Sequence, residues 1–224
     1  MSAVKYVRRG AIFADIGTDH AYLPIYLLKA GLIERAVLSD INEGPLASAR
    51  ENARESELLD RVELVLTDGA DGLLDRGITD VAIFGMGGEL IADIIERAPF
   101  ASDGGVRFIL QPMTKQEHLC KYLEKRGFRV IGESYTADAG RFYRTVCVSL
   151  GEGEPMPRNF EKIGLSTTPC EEIEAKIGYL NAHLASVIRA AEGKRTAGLD
   201  ATEQDRTAEI ITSEIERLKA RIEL

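Results

Sequence analysis

Short apolar runs alternate with amphipathic segments along the first two thirds of the chain. The runs are rich in β-branched residues and predict seven strands, at residues 11–15, 36–40, 62–66, 81–84, 107–111, 128–133 and 143–150. The segments between them predict helices at residues 22–30, 45–57, 90–97 and 115–126. Continuous apolar strands that alternate with helices are typical of a parallel sheet with helices on both faces. Because no helix separates the last two strands, we expect a Rossmann-like α/β fold whose seven-stranded sheet has one reversed strand at its edge.

The pattern changes after residue 150. Glycine and proline interrupt it at residues 151–157, which we interpret as a linker. Two amphipathic helices are predicted beyond the linker, and Gly193 and Gly198 lie between them, which indicates a helical hairpin or short coiled coil. The sequence therefore predicts an α/β domain at 1–150 and a helical hairpin domain at 158–224. Periodicity alone favours core packing or dimerisation as the role of the hairpin.

Composition restricts the partners of the chain. The net charge is −8, so nucleic-acid binding would need a local basic surface. The three cysteines form neither a disulfide framework nor a metal-binding pair, and the three histidines lack metal-ligand spacing, so we predict no metal site. No apolar run approaches the roughly 20 residues of a membrane span, and the N-terminus has no apolar export signal. We therefore expect a cytoplasmic protein.

The first strand is followed by a turn with acidic residues and one glycine. A dinucleotide-binding turn would need Gly-x-Gly-x-x-Gly, and only Gly17 fits that pattern, which argues against NAD. Gly17 lets the turn approach a ligand closely, and Asp15 can face a ligand ammonium group. The methionyl end of S-adenosylmethionine is such a group. A strand-ending aspartate with a turn glycine remains the alternative.

Acidic residues also end the next two strands. Asp40 can accept hydrogen bonds from ribose hydroxyls, and Asp68 lies where an adenine amino group would bind. Each aspartate alone could cap a helix or stabilise a turn. Together they favour S-adenosylmethionine as the cofactor. The predicted cofactor-binding residues are Asp15, Gly17, Thr18, Asp40, Ile41, Asp68, Gly69, Gly85, Met86 and Gly87.

Glycines follow the fourth predicted strand. Gly85, Gly87 and Gly88 let the backbone run close to the reactive end of the cofactor, although a flexible turn would look the same. The Asn/Asp-Pro-Pro-Tyr/Phe run associated with methylation of exocyclic amines is missing there. The fifth strand ends with Gln111 and Pro112, an amide and a rigid turn beside the same site.

Three motifs together resemble the bacterial tRNA (adenine-22-N1)-methyltransferases. They are ADIGTDHAYLP at residues 14–24, GMGG at residues 85–88 and LQP at residues 110–112. The first is specific, because most class I methyltransferases carry a second glycine where this chain has Asp19 and His20. The resemblance covers most of the predicted α/β domain and, more loosely, the helical tail.

The resemblance implies a class I methyltransferase that methylates N1 of an adenine in the tRNA D-arm, with S-adenosylmethionine as methyl donor. The catalytic residues would be Asp19, His20 and Tyr22. Asp19 would accept a hydrogen bond from the exocyclic amine, His20 would add another hydrogen bond, and Tyr22 would stack on the base. The alternatives are that His20 caps the first helix and that Tyr22 belongs to the core.

Substrate contacts are predicted at Gly88, Gln111, Pro112, Arg141 and Tyr143. Several basic residues could contact phosphate, namely Lys5, Arg8, Arg9, Lys115, Lys121, Arg141 and Arg144, although each could also be an ordinary solvated side chain. Met113 and Cys120 stand where the family pattern has asparagine and arginine. The sequence also begins about eleven residues before its first strand and lacks most of the expected N-terminal helix.

Two other functions stay open on the sequence alone. The acceptor could be a small molecule or a protein, which the acidic composition and Met113 favour. The chain could instead bind S-adenosylmethionine without catalysis and use its helical tail for assembly. The sequence leaves the oligomeric state open.

Overall fold

The structure is a computed structural model that describes residues 3–223. The chain packs into two compact units. The first contains the residues up to Gly132 together with Thr145–Met156, and the second contains Glu133–Arg144 together with the residues from Pro157 onward. Residues 133–144 precede the predicted domain boundary at 150 but pack with the second unit. The domain limits expected from the sequence, 1–150 and 158–224, stay a prediction.

The chain contains a seven-stranded sheet of order β3-β2-β1-β4-β5-β7-β6, and its first five strands lie within the first unit. The strands are β1 Ala11–Ile16, β2 Ile33–Asp40, β3 Val62–Leu66, β4 Asp80–Phe84, β5 Arg107–Gln111, β6 Arg129–Asp138 and β7 Arg141–Ser149. Strands β1 to β5 pair in parallel, so their carboxyl ends meet at one edge of the sheet. The predicted Rossmann-like fold is confirmed.

The predicted place of the reversed strand is wrong. Strand β7 runs antiparallel to β5, and it lies between β5 and β6, so that β6 forms the edge. The two strands form a hairpin whose turn contains Ala139 and Gly140, both with positive φ. The physical reason is burial: residues 144–149 of β7 are all buried, as an interior strand requires, whereas β6 has partly exposed positions along its length.

Helices that flank the sheet turn their apolar faces towards it. They are α1 Tyr22–Lys29, α2 Glu43–Glu55, α3 Gly88–Arg97 and α4 Gln116–Lys125. Helix α3 shows the pattern clearly, because Ile91, Ile94 and Ile95 are buried while Asp93 between them is exposed. Strand β1 lies inside the sheet between β2 and β4, and its Phe13 is fully buried.

The opposite, amino-terminal edge of the sheet is fixed by an ion pair. Asp80 is fully buried and accepts hydrogen bonds from the backbone N–H and the Nε of Arg8, each at 2.7 Å. The Arg8 guanidinium also donates to the carbonyl oxygens of Thr79 and Gly105. Arg8 is therefore held in the fold, which corrects its reading as a candidate phosphate contact.

The second unit contains helices α5 Phe160–Ile163, α6 Ile173–Thr196 and α7 Thr202–Ile222. Helices α6 and α7 form the predicted hairpin, and their apolar residues make a core of their own. Its fully or nearly fully buried members are Ile173, Leu180, Ile211, Ile215 and Leu218.

Buried charges lie within this second unit. Arg144 and Glu133 pair at 2.9 Å, and the Arg144 guanidinium stacks over the Phe160 ring. Lys176 is fully buried, and its Nζ lies 3.5 Å from Glu133 and 3.6 Å from Glu214. Burial lowers the pKa of Lys176, and the two carboxylates oppose that effect. Arg144 is thus a structural residue, which corrects its reading as a phosphate contact.

Among residues 3–223, no helix is both long and apolar enough to cross a membrane. The same residues contain no group of three or more histidine, cysteine, aspartate or glutamate side chains arranged to hold a metal ion.

Candidate active site

The turn after β1 forms the centre of the candidate site. The backbone N–H groups of Gly17 and Thr18 donate to the Ser39 carbonyl at 2.8 and 3.0 Å, which ties the turn to the end of β2. Gly17 has φ of +75°, and a Cβ there would collide with the terminal methyl group of Met86. The left-handed backbone conformation is the feature that favours glycine here, because the Met86 methyl group ends a flexible side chain that can move aside.

A carboxyl group and an orphaned hydroxyl lie beside this turn. Burial raises the pKa of Asp15 to about 6, and the neighbouring Thr18 hydroxyl opposes that effect. Thr18 is buried, and its Oγ1 has no hydrogen-bond partner of good geometry among the described residues. A buried orphan hydroxyl beside a desolvated carboxylate fits a polar, cationic ligand, which would satisfy both groups.

Polar groups also mark the ends of β2 and β3. One Asp40 carboxylate oxygen accepts from the Asn42 backbone N–H at 2.7 Å, which fixes the side chain at the sheet edge. Ile41 beside it is 63% exposed, so an apolar surface is open to a ligand. Asp68 pairs with Arg97 of α3 at 3.3 Å, an interaction that the sequence did not reveal. Gly69 has φ of +59° and packs against α3.

The loops after β4 and β5 are joined to each other. The Met113 backbone N–H donates to the Met86 carbonyl, and the Gly88 N–H donates to the Thr114 carbonyl, each at 2.8 Å. Gly88 is buried at the start of α3, and a Cβ there would collide with the Lys115 backbone carbonyl. This close approach accounts for the glycine, and the predicted role of Gly88 in substrate binding stays a prediction.

Gln111 ends β5 beside these loops. Its side-chain amide donates to the buried Thr145 hydroxyl at 3.1 Å, so its orientation is restrained. Pro112 is buried and Met113 is 42% exposed. The carboxyl end of β5 therefore carries a restrained amide and, two residues later, an exposed thioether.

The three predicted catalytic residues lie together and face solvent. The His20 imidazole lies 3.3 Å from the Asp19 carboxylate and stacks on Tyr22 with ring centroids 5.1 Å apart. Tyr22 is 67% exposed, which excludes the alternative that it belongs to the core. The residue at the N-cap of α1 is Ala21, so His20 does not cap this helix. The arrangement offers a carboxylate and a flat aromatic pair to a ligand.

Two of the predicted substrate residues belong to the other compact unit. Arg141 and Tyr143 lie at the start of β7, within Glu133–Arg144. Arg141 is exposed and Tyr143 partly buried. Their part in substrate binding stays a prediction.

Sequence reasoning missed three residues that restrain the site. They are Asn52, whose amide donates to the His20 carbonyl at 2.9 Å, Arg97 and Thr145. Each acts on a residue at least 29 positions away in the chain. The only signal for Asn52 is a polar residue beside the buried Ala53 of α2, which is too common to identify a role.

The comparison with protein families decides the class of the chain. Residues 1–146 match the family model described as a methyltransferase domain. The chain belongs to this family. The match includes the turn after β1 and the loops after β4 and β5, which form the candidate site.

The chain is also similar to an individual curated methyltransferase. The chain is 33% identical over 152 residues to the tRNA (adenine(22)-N(1))-methyltransferase of Bacillus subtilis, an alignment that covers 67% of this chain and 63% of that enzyme. The chain thus spans less than two thirds of the length of this curated relative.

Solved structures are similar over nearly the full length. The crystal structure of the B. subtilis M1A22 tRNA methyltransferase has a TM-score of 0.76 and 25% identity, covering 99% of this chain and 98% of that one. A candidate tRNA (m1A22) methyltransferase of Streptococcus pneumoniae, solved in complex with S-adenosyl-L-methionine, has a TM-score of 0.74 and 27% identity, covering 98% of this chain and 96% of that one. The family resemblance read from the three sequence motifs is confirmed.

Proposed function

We propose that the chain transfers a methyl group from S-adenosylmethionine to N1 of adenine 22 in tRNA. The observation that carries the proposal is the exposed array of Asp19, His20 and Tyr22, which directly follows the turn of Gly17. The similarity to methyltransferases of that specificity supports it. The proposal also implies that the chain works in the cytoplasm with tRNA as its partner.

The residues at the carboxyl edge fit the cofactor. Asp15 and Thr18 would hold the methionyl ammonium group, Asp40 the ribose hydroxyls and Asp68 the adenine amino group. The backbone at Gly17 and Gly85 leaves room for close approach, since both residues have positive φ. S-adenosylmethionine supplies an electrophilic methyl group on its sulfonium sulfur.

The protein's task in such a transfer is alignment. The neutral N1 lone pair forms the new N–C bond as the S–C bond breaks, so no proton has to leave N1 and no strong general base is needed. The adenine must first leave its stack, and the exposed Tyr22 ring provides a surface to receive it. N1 gains positive charge during the transfer, and the Asp19 carboxylate would stabilise that charge.

The test compares Asp19→Ala with wild-type protein on unmodified tRNA transcripts and labelled S-adenosylmethionine. Because Asp19 is 76% exposed, the substitution should leave folding and S-adenosylhomocysteine binding intact, while methyl transfer falls by about 100-fold or more. Asp93→Ala, an exposed aspartate of α3, is the matched control and should keep full activity.

Other outcomes would reject parts of the proposal. Methyl transfer to a small molecule or protein but not to tRNA would replace the acceptor. Cofactor binding without transfer to any acceptor would indicate a non-catalytic binding protein. Full activity of Asp19→Ala would remove Asp19 from the mechanism.

A further inference from the structure

A strained residue lies inside the loop that carries the proposed catalytic side chains. Ala21 has φ of 57° and ψ of 25°, the left-handed region, and its side chain is buried. For a residue with a Cβ this conformation costs on the order of 1 kcal/mol, so other interactions must hold it. The conformation matters because Ala21 separates His20 from Tyr22.

Two hydrogen bonds hold the backbone on either side of the strained position. The Ala21 carbonyl accepts from the Ile25 N–H at 3.0 Å, which is the first hydrogen bond of α1. The His20 carbonyl accepts from the Asn52 side-chain amide at 2.9 Å. Only the second bond joins the loop to a different helix, because Asn52 belongs to α2.

The surroundings of Asn52 suit this role. Ala49 and Ala53 on the same helix are fully buried, and their small side chains let the α2 backbone approach its neighbours closely. Asn52 is partly buried between these positions. An apolar side chain at this position could not donate to the His20 carbonyl.

We propose that Asn52 is a positioning residue for methyl transfer, and this rests on the function proposed above. Its amide clamps the His20 carbonyl, stabilises the left-handed Ala21 and so keeps Asp19, His20 and Tyr22 in one arrangement. Asn52 acts on the acceptor base through this loop and does not touch the cofactor.

The kinetic test uses Asn52→Ala in the intact chain. The clamp predicts a loss of about tenfold or more in kcat/KM for tRNA, while the Kd for S-adenosylhomocysteine stays within about twofold of wild type. The matched control is Ser48→Ala on the same helix, where the lost hydroxyl bonds, among residues 3–223, only to the Gly44 carbonyl within α2. This control should retain wild-type values for both constants.

A second measurement follows the mobility of the loop and does not depend on enzymatic activity. The chain contains no tryptophan, so Tyr22→Trp introduces a single indole reporter in the loop. With the clamp present, the fluorescence anisotropy of this indole should be high. Adding Asn52→Ala should lower the anisotropy while the protein stays fully folded at the assay temperature, and adding Ser48→Ala should leave the anisotropy unchanged.

The outcomes separate this inference from the proposed function. Wild-type protein that methylates no tRNA would overturn the proposed function, and the indole reporter would still test the clamp. Active wild-type protein with an equally active Asn52→Ala variant, or with unchanged reporter anisotropy, would overturn the clamp. A parallel loss of cofactor affinity would also overturn it, because the damage would then extend beyond the loop.

Discussion

The chemistry of the candidate site depends on single side chains whose surroundings change their properties. Asp15 is the clearest example, since burial raises its pKa from the ordinary 3.8 to about 6. The folded chain therefore holds this proton more tightly than the unfolded chain does. The carboxyl group costs no stability below about pH 3.8, and it becomes increasingly destabilising as the pH rises to about 6.

We predict that Asp15→Asn stabilises the ligand-free protein at about pH 7.5 by about 1–2 kcal/mol, because the amide carries no charge to bury. The difference should disappear near about pH 3.5, where aspartate is largely protonated in both states. Urea unfolding at the two pH values measures it. The same variant should lose affinity for S-adenosylhomocysteine. Equal stability of the two proteins at the higher pH would show that Asp15 is well solvated.

At the residue scale, the sequence predicted the polar groups of the candidate site. It did not predict the groups that hold them in place. Asp19, His20 and Tyr22 were identified from a local motif, and they lie together. Asn52 could not be found in this way, because its bond to His20 spans 32 positions and depends on how α2 packs. The left-handed Ala21 gave no signal either, since such conformations usually select glycine or asparagine.

Elements position the site through the junction of two loops. The loop from β4 to α3 and the loop from β5 to α4 are hydrogen bonded to each other at Met86 and Gly88. The junction places Gly88, the first residue of α3, directly against the Lys115 backbone. A Cβ at this position would collide with the Lys115 carbonyl, so the position needs glycine. The glycine-rich motif thus sets the spacing of these two loops.

We predict that Gly88→Ala separates the loops, since the new methyl group collides with the Lys115 carbonyl and lies 3.1 Å from Leu119 Cβ. The variant should lose about 1–3 kcal/mol of stability and bind S-adenosylhomocysteine more weakly. Gly44→Ala in the first turn of α2 is the matched control, because nothing lies within 4 Å of its added Cβ. Thermal melts compare the two, and equal melting temperatures would contradict the packing argument.

The sequence predicted nearly all elements of the sheet but misplaced the reversed strand. Apolar periodicity reports whether a segment is buried, which located the strands from β1 to β7. It does not report which strands are neighbours. The uninterrupted burial of residues 144–149 is the feature that an interior strand needs, and the apolar run there carried that information.

At the scale of the whole molecule, the chain contains two compact units with different kinds of interior. The sheet unit has an apolar core with one carboxylate, Asp80, buried at its amino-terminal edge, whereas the helical unit buries several charges around Lys176. The sequence could not reveal these ion pairs, because Arg144 and Lys176 look like ordinary surface residues until their carboxylate partners are placed beside them. Burial of the Arg144 guanidinium also removes one of the basic residues that the sequence offered as candidate phosphate contacts.

We predict that Lys176→Met destabilises the chain by about 3 kcal/mol, because Glu133 and Glu214 lose a buried counter-charge. Lys219→Met, at an exposed position of α7, should change stability by less than about 0.5 kcal/mol. Urea unfolding followed by circular dichroism measures both. Equal midpoints for the two variants would mean that the buried charges are dispensable.

The most direct test of the central claim is the position of the methyl group on tRNA. Unmodified tRNA with adenosine at position 22 is incubated with the protein and S-adenosylmethionine, digested and analysed by mass spectrometry, beside a transcript with guanosine at that position. We expect one 1-methyladenosine, at position 22, in the first transcript and none in the second. A methyl group at another position, on another atom, or on neither transcript would contradict it.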